Sequence, residues 1–323
     1  MTLAFTLCSI NYLAQARTLG DSLRRTNPHI RFIIGLVDRL DVAQVPPDML
    51  PDFELLELHN IGISSLQEMC EHYNITELNT AVKPYFFRYF FERVPQVSNV
   101  IYFDPDIIVY QPLTELENLL QKHDFVLTPH LTTPIDDQLT PNELHHLNTG
   151  VYNLGFIALR KSPEALDFVK WWEEKLFDEC KIDLCNGLFV DQNWVNFAPI
   201  FWNNIHVEKH PGWNAAYWNL HERRFSFKEG THSVNNLPVV FFHYSGYDPA
   251  KPNVISKYQD RFTFEQRPDL VALFDFYRSE LLQNHNAYYR QFSCFYIKPE
   301  PLYKYLRVRE FLKKPFEKWL AKL

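Results

Sequence analysis

Two carboxylates flank a proline in Asp104-Pro105-Asp106, directly after the apolar run Val100-Ile101-Tyr102-Phe103 and before Ile107-Ile108-Val109. Side chains one residue apart point to opposite sides of an extended strand. At a strand end the chain turns, so both can approach one cation, and Pro105 stiffens that turn. Hard oxygen ligands of this kind suit Mn2+ or Mg2+, which neutralise the charge growing on a departing diphosphate. An Asp-x-Asp triplet also occurs in solvated turns; the apolar runs on either side of this one favour the metal reading.

Far along the chain, His243 closes an apolar strand and is followed by Tyr244-Ser245-Gly246 and then Lys251-Pro252. A lone histidine in that position is commonly a hydrogen-bonded core residue. Its company changes the reading. Imidazole completes a Mn2+ site, a glycine lets backbone approach a phosphate, and a lysine supplies a point charge for it.

These residues need elements to hold them. Thr2 to Cys8 is a run of β-formers, Tyr12 to Arg25 is helically periodic up to Asn27-Pro28, and Arg31 to Val37 is again an apolar strand. Strand, helix and buried strand in that order begin a parallel sheet flanked by helices. Further strands are expected at Asp52 to Leu58, Asn99 to Phe103, Asp124 to Leu127, Tyr152 to Arg160 and Val239 to Phe242. Helices are expected at Ser64 to Tyr73, Glu77 to Glu92 with a break or start near Pro84, Thr114 to Gln121, Pro163 to Glu179 and Val190 to Phe197. The acidic triplet then sits at a strand's carboxyl end, where open α/β sheets bind ligands. The polar stretch from Thr128 to Asn148 reads as a structureless lid.

Composition limits what such a site serves. A chain of 323 residues with 46% hydrophobic content buries a large core, and its net charge of −7 argues against a nucleic-acid partner, which needs clustered Lys and Arg. The five cysteines are odd in number and scattered, which suits free thiols in a reducing compartment. Cys180 and Cys185 lack the second Cys or His pair of a zinc site. The opening MTLAFTLCSINYLAQARTLG has no basic leader, and its apolar run falls short of the ~20 residues a bilayer span takes. It reads as a core strand of a cytoplasmic protein. From Tyr303 to Leu323 basic residues interleave with aromatic ones, as in a packing helix or a peripheral membrane contact. Nothing in the sequence indicates an oligomeric state.

The pairing of Phe103-Asp104-Pro105-Asp106 with His243-Tyr244-Ser245-Gly246 resembles the retaining GT-A glycosyltransferases of family 8, which include glycogenin and bacterial lipopolysaccharide galactosyltransferases. The resemblance covers roughly Thr2 to Pro252. It implies a GT-A fold, that is, an α/β Rossmann-like and mostly parallel sheet, with a catalytic domain over 1–255 and a helical extension over 256–323. It also implies that the first strand and its turn contact the nucleoside, which falls on Cys8, Ser9, Asn11 and Tyr12; a helix cap at Ser9 or Asn11 is the plainer alternative. An Arg on the helix before the metal strand reaches the donor in that family, which points to Arg88, with Lys83 second; either could instead form a surface salt bridge.

Tyr152-Asn153-Leu154-Gly155-Phe156 resembles the family's Asn-Ala-Gly strand start beside the sugar, and Asp191-Gln192 matches an Asp-Gln pair near the anomeric centre. The competing readings are a turn residue for Asn153 and a helix N-cap for Asp191. The family's phosphate-binding Lys usually lies closer behind the glycine, before Pro-Trp. Here Tyr247-Asp248-Pro249-Ala250 intervenes and Asn253 replaces the Trp, so Lys257 competes with Lys251 for that role. Pro211-Gly212-Trp213-Asn214 and Tyr217-Trp218-Asn219-Leu220 are similar to bacterial glycosyltransferases of capsule or surface-glycan assembly; Trp213, Tyr217 and Trp218 would stack on sugar or fill the core.

The function implied is transfer of a hexose from an NDP-sugar, in particular a UDP-sugar, to a glycan or other hydroxyl acceptor. Mn2+ or Mg2+ held by Asp104, Asp106 and His243 would bridge the two phosphates. Asp191 and Gln192 would stabilise or orient the sugar, with retention; inversion follows if Asp191 acts as a base on the far face. Two rivals stand beside it. One is a phosphatase of the haloacid dehalogenase kind, which uses an Asp-x-Asp on its first strand. The other is a non-catalytic relative that binds nucleotide-sugar without transfer.

Overall fold

The computed structural model describes residues 1–297, so the basic and aromatic tail from Tyr303 to Leu323 lies outside the described residues. Strand β1 (Thr2–Cys8) is buried along its whole length, as a strand covered by helices on both faces must be. After the helix Leu13–Thr26 come β2 (Arg31–Leu36) and β3 (Glu54–Glu57), then β4 (Asn99–Phe103) and the short β5 (Ile107–Val109). β6 (Phe125–Pro129), β7 (Tyr152–Arg160), the hairpin β8 (Ile182–Asp183) with β9 (Leu188–Phe189), and β10 (Ile205–Val207) follow.

Seven strands form one sheet in the order β10-β6-β7-β4-β1-β2-β3. Its pairs are parallel except where β7 runs antiparallel to both β4 and β6. The fold is therefore mixed α/β with a mostly parallel sheet, as expected. The pleat divides the core in two: Leu3, Phe5 and Leu7 face the helices Lys83–Arg93 and Pro163–Leu176, while Ala4 and Cys8 face Leu13–Thr26 and Thr114–Lys122. Phe5 gathers Phe87, Phe90 and Tyr102 around it, with ring centres 5.0 to 5.1 Å away.

Three expected elements take a different form. Glu77 to Glu92 is two helices, Ile75–Ala81 and Lys83–Arg93. The first is capped by Asn74, whose side chain accepts from Thr76 and Glu77, and the second starts where Pro84 has no N–H to give. The lid contains a helix, Glu143–Thr149, capped by Asn142, and Asp137 within it accepts two bonds from Arg261 at 2.8 and 2.9 Å. Val190 to Phe197 holds a single turn, Gln192–Val195, and a second, Ala198–Phe201, follows it.

Beyond residue 255 the described residues do not leave the core. Leu273, Phe274, Tyr277 and Leu281 of the helix Val271–Gln283 share a cluster with Ala4 and Leu13. Among the described residues no helix is long and apolar enough to cross a membrane. Cys180 is buried, Cys185 is exposed, and all five cysteines are free.

Candidate active site

The acidic triplet turns at the carboxyl end of β4. Asp104 N–H donates to the Gly155 carbonyl at 2.7 Å and Ile107 N–H to the Asp104 carbonyl at 3.2 Å, after which β5 pairs antiparallel with the strand Phe241–His243. That pairing sets Ile107 opposite His243 and lets Tyr244 N–H reach the Asp106 carbonyl at 2.8 Å. Residues far apart in sequence are thus brought side by side by a three-strand sheet separate from the large one. His243 Nε2 lies 3.0 Å from Asp106 Oδ1 and 3.7 Å from Asp104 Oδ2, and one ligand atom from each of the three falls within 4.8 Å of the others.

The imidazole is tightly placed. A Cβ on Gly155 would run into His243 Cε1 and stand 2.7 Å from its Nδ1, so only glycine leaves room for the ring; Trp218 meets it edge-on at 5.2 Å. Burial disfavours charge on His243, but the carboxylates of Asp106 and Asp104 outweigh it and raise its pKa. Two carboxylates and an imidazole nitrogen converging on one point are a donor set that fits Mn2+, with Mg2+ served by the carboxylates. The Tyr102 phenol donates to Asp104 Oδ1 at 2.6 Å.

Two cavities meet at Asp104. The smaller, about 250 Å³, is lined by Cys8, Ser9, Asn11 and Tyr12 together with Asp106. Ser9 makes no side-chain cap; its hydroxyl donates to the Val37 carbonyl and accepts from Asn79 Nδ2, both at 3.0 Å. Asp38, which sequence reasoning missed, braces this turn by accepting from Ile10 N–H at 3.1 Å and Phe295 N–H at 2.8 Å. Burial raises its pKa against those bonds. The signal available was an acidic residue at the end of a buried strand.

The larger cavity, about 870 Å³, holds Lys83, Asn153, Gly155, Asp191, Gln192, His243 and Lys257 on its walls. Lys83 and Asp191 form a buried ion pair at 2.5 Å, and the same ammonium donates to the Leu154 carbonyl at 2.9 Å. Burial raises the Asp191 pKa, with Lys83 pulling it back. Asp191 precedes the turn Gln192–Val195 without capping it. Gln192 Oε1 accepts from Leu154 N–H at 3.1 Å and Asn153 Nδ2 at 3.2 Å, while its Nε2 donates to the Thr149 carbonyl at 2.7 Å. Asn153 Oδ1 accepts from Asn214 Nδ2 at 3.0 Å. Asn214, within the Pro211–Asn214 motif but given no role there, belongs to this region too, as do His130, His146 and Tyr258, which no local pattern announced.

Other residues fall elsewhere. Arg88 does not line either cavity: its Nε bonds Glu173 at 2.6 Å, because five residues beyond Lys83 carry it about 140° around the helix and about 7.5 Å along. Lys251 is exposed and lines neither cavity, whereas Lys257 does line the larger one. Gly246 has φ of +73°, and a Cβ there would meet Ser256 Oγ at 2.5 Å, so this glycine admits the 256–258 segment rather than lining either cavity. Trp213 is core, edge-on to Phe156 and Phe241, while Tyr217 and Trp218 line the larger cavity.

Sheet and site together define a mixed α/β protein with an acidic–imidazole cluster where two clefts join. No known family profile matches the chain. It is similar to the protein YfnF of Bacillus subtilis (strain 168), described as uncharacterized, with 27% identity over 295 residues, 87% of this chain and 92% of that one. Among solved structures it is similar to the galactosyltransferase LgtC in complex with donor and acceptor sugar analogs, with a TM-score of 0.47, 16% identity, and 88% and 96% of the two chains covered. It is also similar to the glycosyltransferase GlyE of Streptococcus pneumoniae TIGR4, with a TM-score of 0.47, 17% identity, and 87% of this chain and 62% of that one covered.

Proposed function

We propose that the chain is a metal-dependent glycosyltransferase that moves a hexose from a UDP-sugar or other NDP-sugar to a hydroxyl acceptor, with retention at the anomeric carbon. The observation that carries this reading is the convergence of Asp104, Asp106 and His243 at the junction of two cavities, one of a size for a nucleoside and one with room for donor sugar and acceptor. A divalent ion held by these three side chains would supply Lewis acidity to the pyrophosphate.

The chain's own residues divide the remaining work. Cys8, Ser9, Asn11 and Tyr12 line the nucleoside side, where Tyr12 is 44% exposed. Lys257, on the wall of the larger cavity, serves as a point charge for phosphate. Asp191, ion-paired with Lys83, lines the sugar side and balances positive charge that develops at the anomeric carbon. Gln192 and Asn153 spend most of their hydrogen-bonding capacity on each other, on Asn214 and His130 and on backbone, so they shape the pocket around Asp191. The acceptor hydroxyl attacks from the leaving group's side, the bond to the diphosphate oxygen breaks, and the hydroxyl proton passes to the departing phosphate.

Melting curves with UDP, GDP and ADP, each with and without Mn2+, test this directly. One nucleoside diphosphate should raise the midpoint only when Mn2+ is present, and that gain should vanish in Asp106→Ala. A protein whose midpoint no combination moves would sink the proposal. The anomer released from the matching NDP-sugar reports retention or inversion.

A further inference from the structure

Tyr102 carries a hydroxyl that the core does not need. Its ring is 3% exposed and sits edge-on to Phe5 at 5.1 Å, a role that phenylalanine would fill as well. The hydroxyl bonds Asp104 Oδ1 at 2.6 Å, a length typical of O–H donation to a carboxylate. Tyr102 and Asp104 are two residues apart at the end of β4, so the pleat sets them on one face.

The two Asp104 oxygens therefore have different surroundings. Oδ1 is tied to the phenol, whereas Oδ2 faces His243 Nε2 at 3.7 Å. An aspartate's terminal torsion is broad, and partial burial, with 32% of this side chain exposed, does not by itself select one orientation. Among the described residues, the phenol is the hydrogen-bond donor that does so. The phenol is itself clamped: the Lys83 ammonium lies 4.2 Å from its ring centre, held there by Asp191 and the Leu154 carbonyl. A cation over the ring face draws electron density from the oxygen and makes the O–H a better donor.

We propose that Tyr102 is a positioning residue, whose hydroxyl holds Asp104 in the orientation that turns Oδ2 toward a divalent cation. The inference rests on the reading of Asp104, Asp106 and His243 as cation ligands. It adds a fourth residue that touches no ion and still sets how tightly one binds. Partners that orient a metal-ligating side chain typically change metal affinity by about 10- to 100-fold.

The test is a Mn2+ titration followed by loss of the free-ion electron paramagnetic resonance signal, on the whole chain without nucleotide, for the native protein, Tyr102→Phe and Asp104→Ala. Y102F should bind Mn2+ about 10- to 100-fold more weakly, while its metal-free melting midpoint stays within about 2 °C of native. D104A should bind none at the site. Native-like Mn2+ affinity in Y102F, with binding lost in D104A, would overturn the positioning role and leave the cation site intact. Native-like affinity in D104A would instead overturn the cation site, and Tyr102's role with it.

Discussion

At the scale of single residues, the Lys83–Asp191 pair is where charge and burial conflict most sharply. Both side chains are at most 3% exposed, so removing one strands the other in a poorly solvated place. Lys83→Met should destabilise the fold by about 3–5 kcal/mol in urea unfolding, and combining it with Asp191→Leu in a double variant should recover much of the loss. Equal stabilities for the native protein and the single variant would show that water reaches the pair. His146 sets a different expectation. Burial, and then the neighbouring His145, pushes its pKa down to about 4, whereas an unfolded chain takes up that proton near about 6.5. Between these values the unfolded state binds more protons, so His146 contributes stability above pH ~6.5 that is lost as pH falls toward ~4. Unfolding midpoints at pH 7 and pH 5 should differ less in His146→Asn than in the native protein; an unchanged difference would remove His146 as a cause.

At the scale of elements, Gly155 shows how a strand makes room for a ligand from another sheet. Gly155→Ala would drive a methyl into the His243 ring, 2.7 Å from Nδ1 as the ring now stands. Circular dichroism should show an intact sheet while Mn2+ affinity falls at least tenfold; undiminished affinity would mean the ring is free to shift. The tie from Arg261 to Asp137 predicts a second effect, because it anchors the segment before the helix Glu143–Thr149. Arg261→Ala should speed proteolytic nicking within residues 133–141, and a cleavage rate equal to native would show that other contacts hold the segment.

Elements also mark how far the sequence was legible. The strands Thr2–Cys8, Asn99–Phe103 and Tyr152–Arg160 could be read because burial on both faces demands unbroken apolar runs, and the observed bounds coincide with the expected ones. The triplet at the end of β4 and its partner His243 were visible for the same reason: each closes such a run. Their joining was legible only through the family resemblance, because it depends on β5 pairing with Phe241–His243 across more than a hundred residues. Arg88 misled because helical phase, not proximity in sequence, decides which basic residue of a helix faces a cleft. The part Asn214 and His130 play carried no signal, since a buried polar network is defined by partners from distant segments.

At the scale of the whole molecule, the cleft has two walls of different origin. One is the carboxyl end of the central strand β4 with its acidic turn, and the other is the segment after residue 255, where Tyr258 borders both cavities and Lys257 borders the larger. Tyr258→Ala should therefore weaken Mn2+-dependent nucleotide binding with little cost in stability, since this side chain is 50% exposed. A melting gain with nucleotide equal to native would place Tyr258 outside the binding surface.

That shared wall bears on how such a gene could be shortened or spliced. A stop codon after position 255 would strip the helix Val271–Gln283 from the sheet face it covers and remove one side of the ligand groove in the same stroke. Recombination that swaps this part between relatives would exchange groove chemistry and a share of the buried core together, so viable chimaeras should join well upstream of the glycine at 246, where the incoming segment is received.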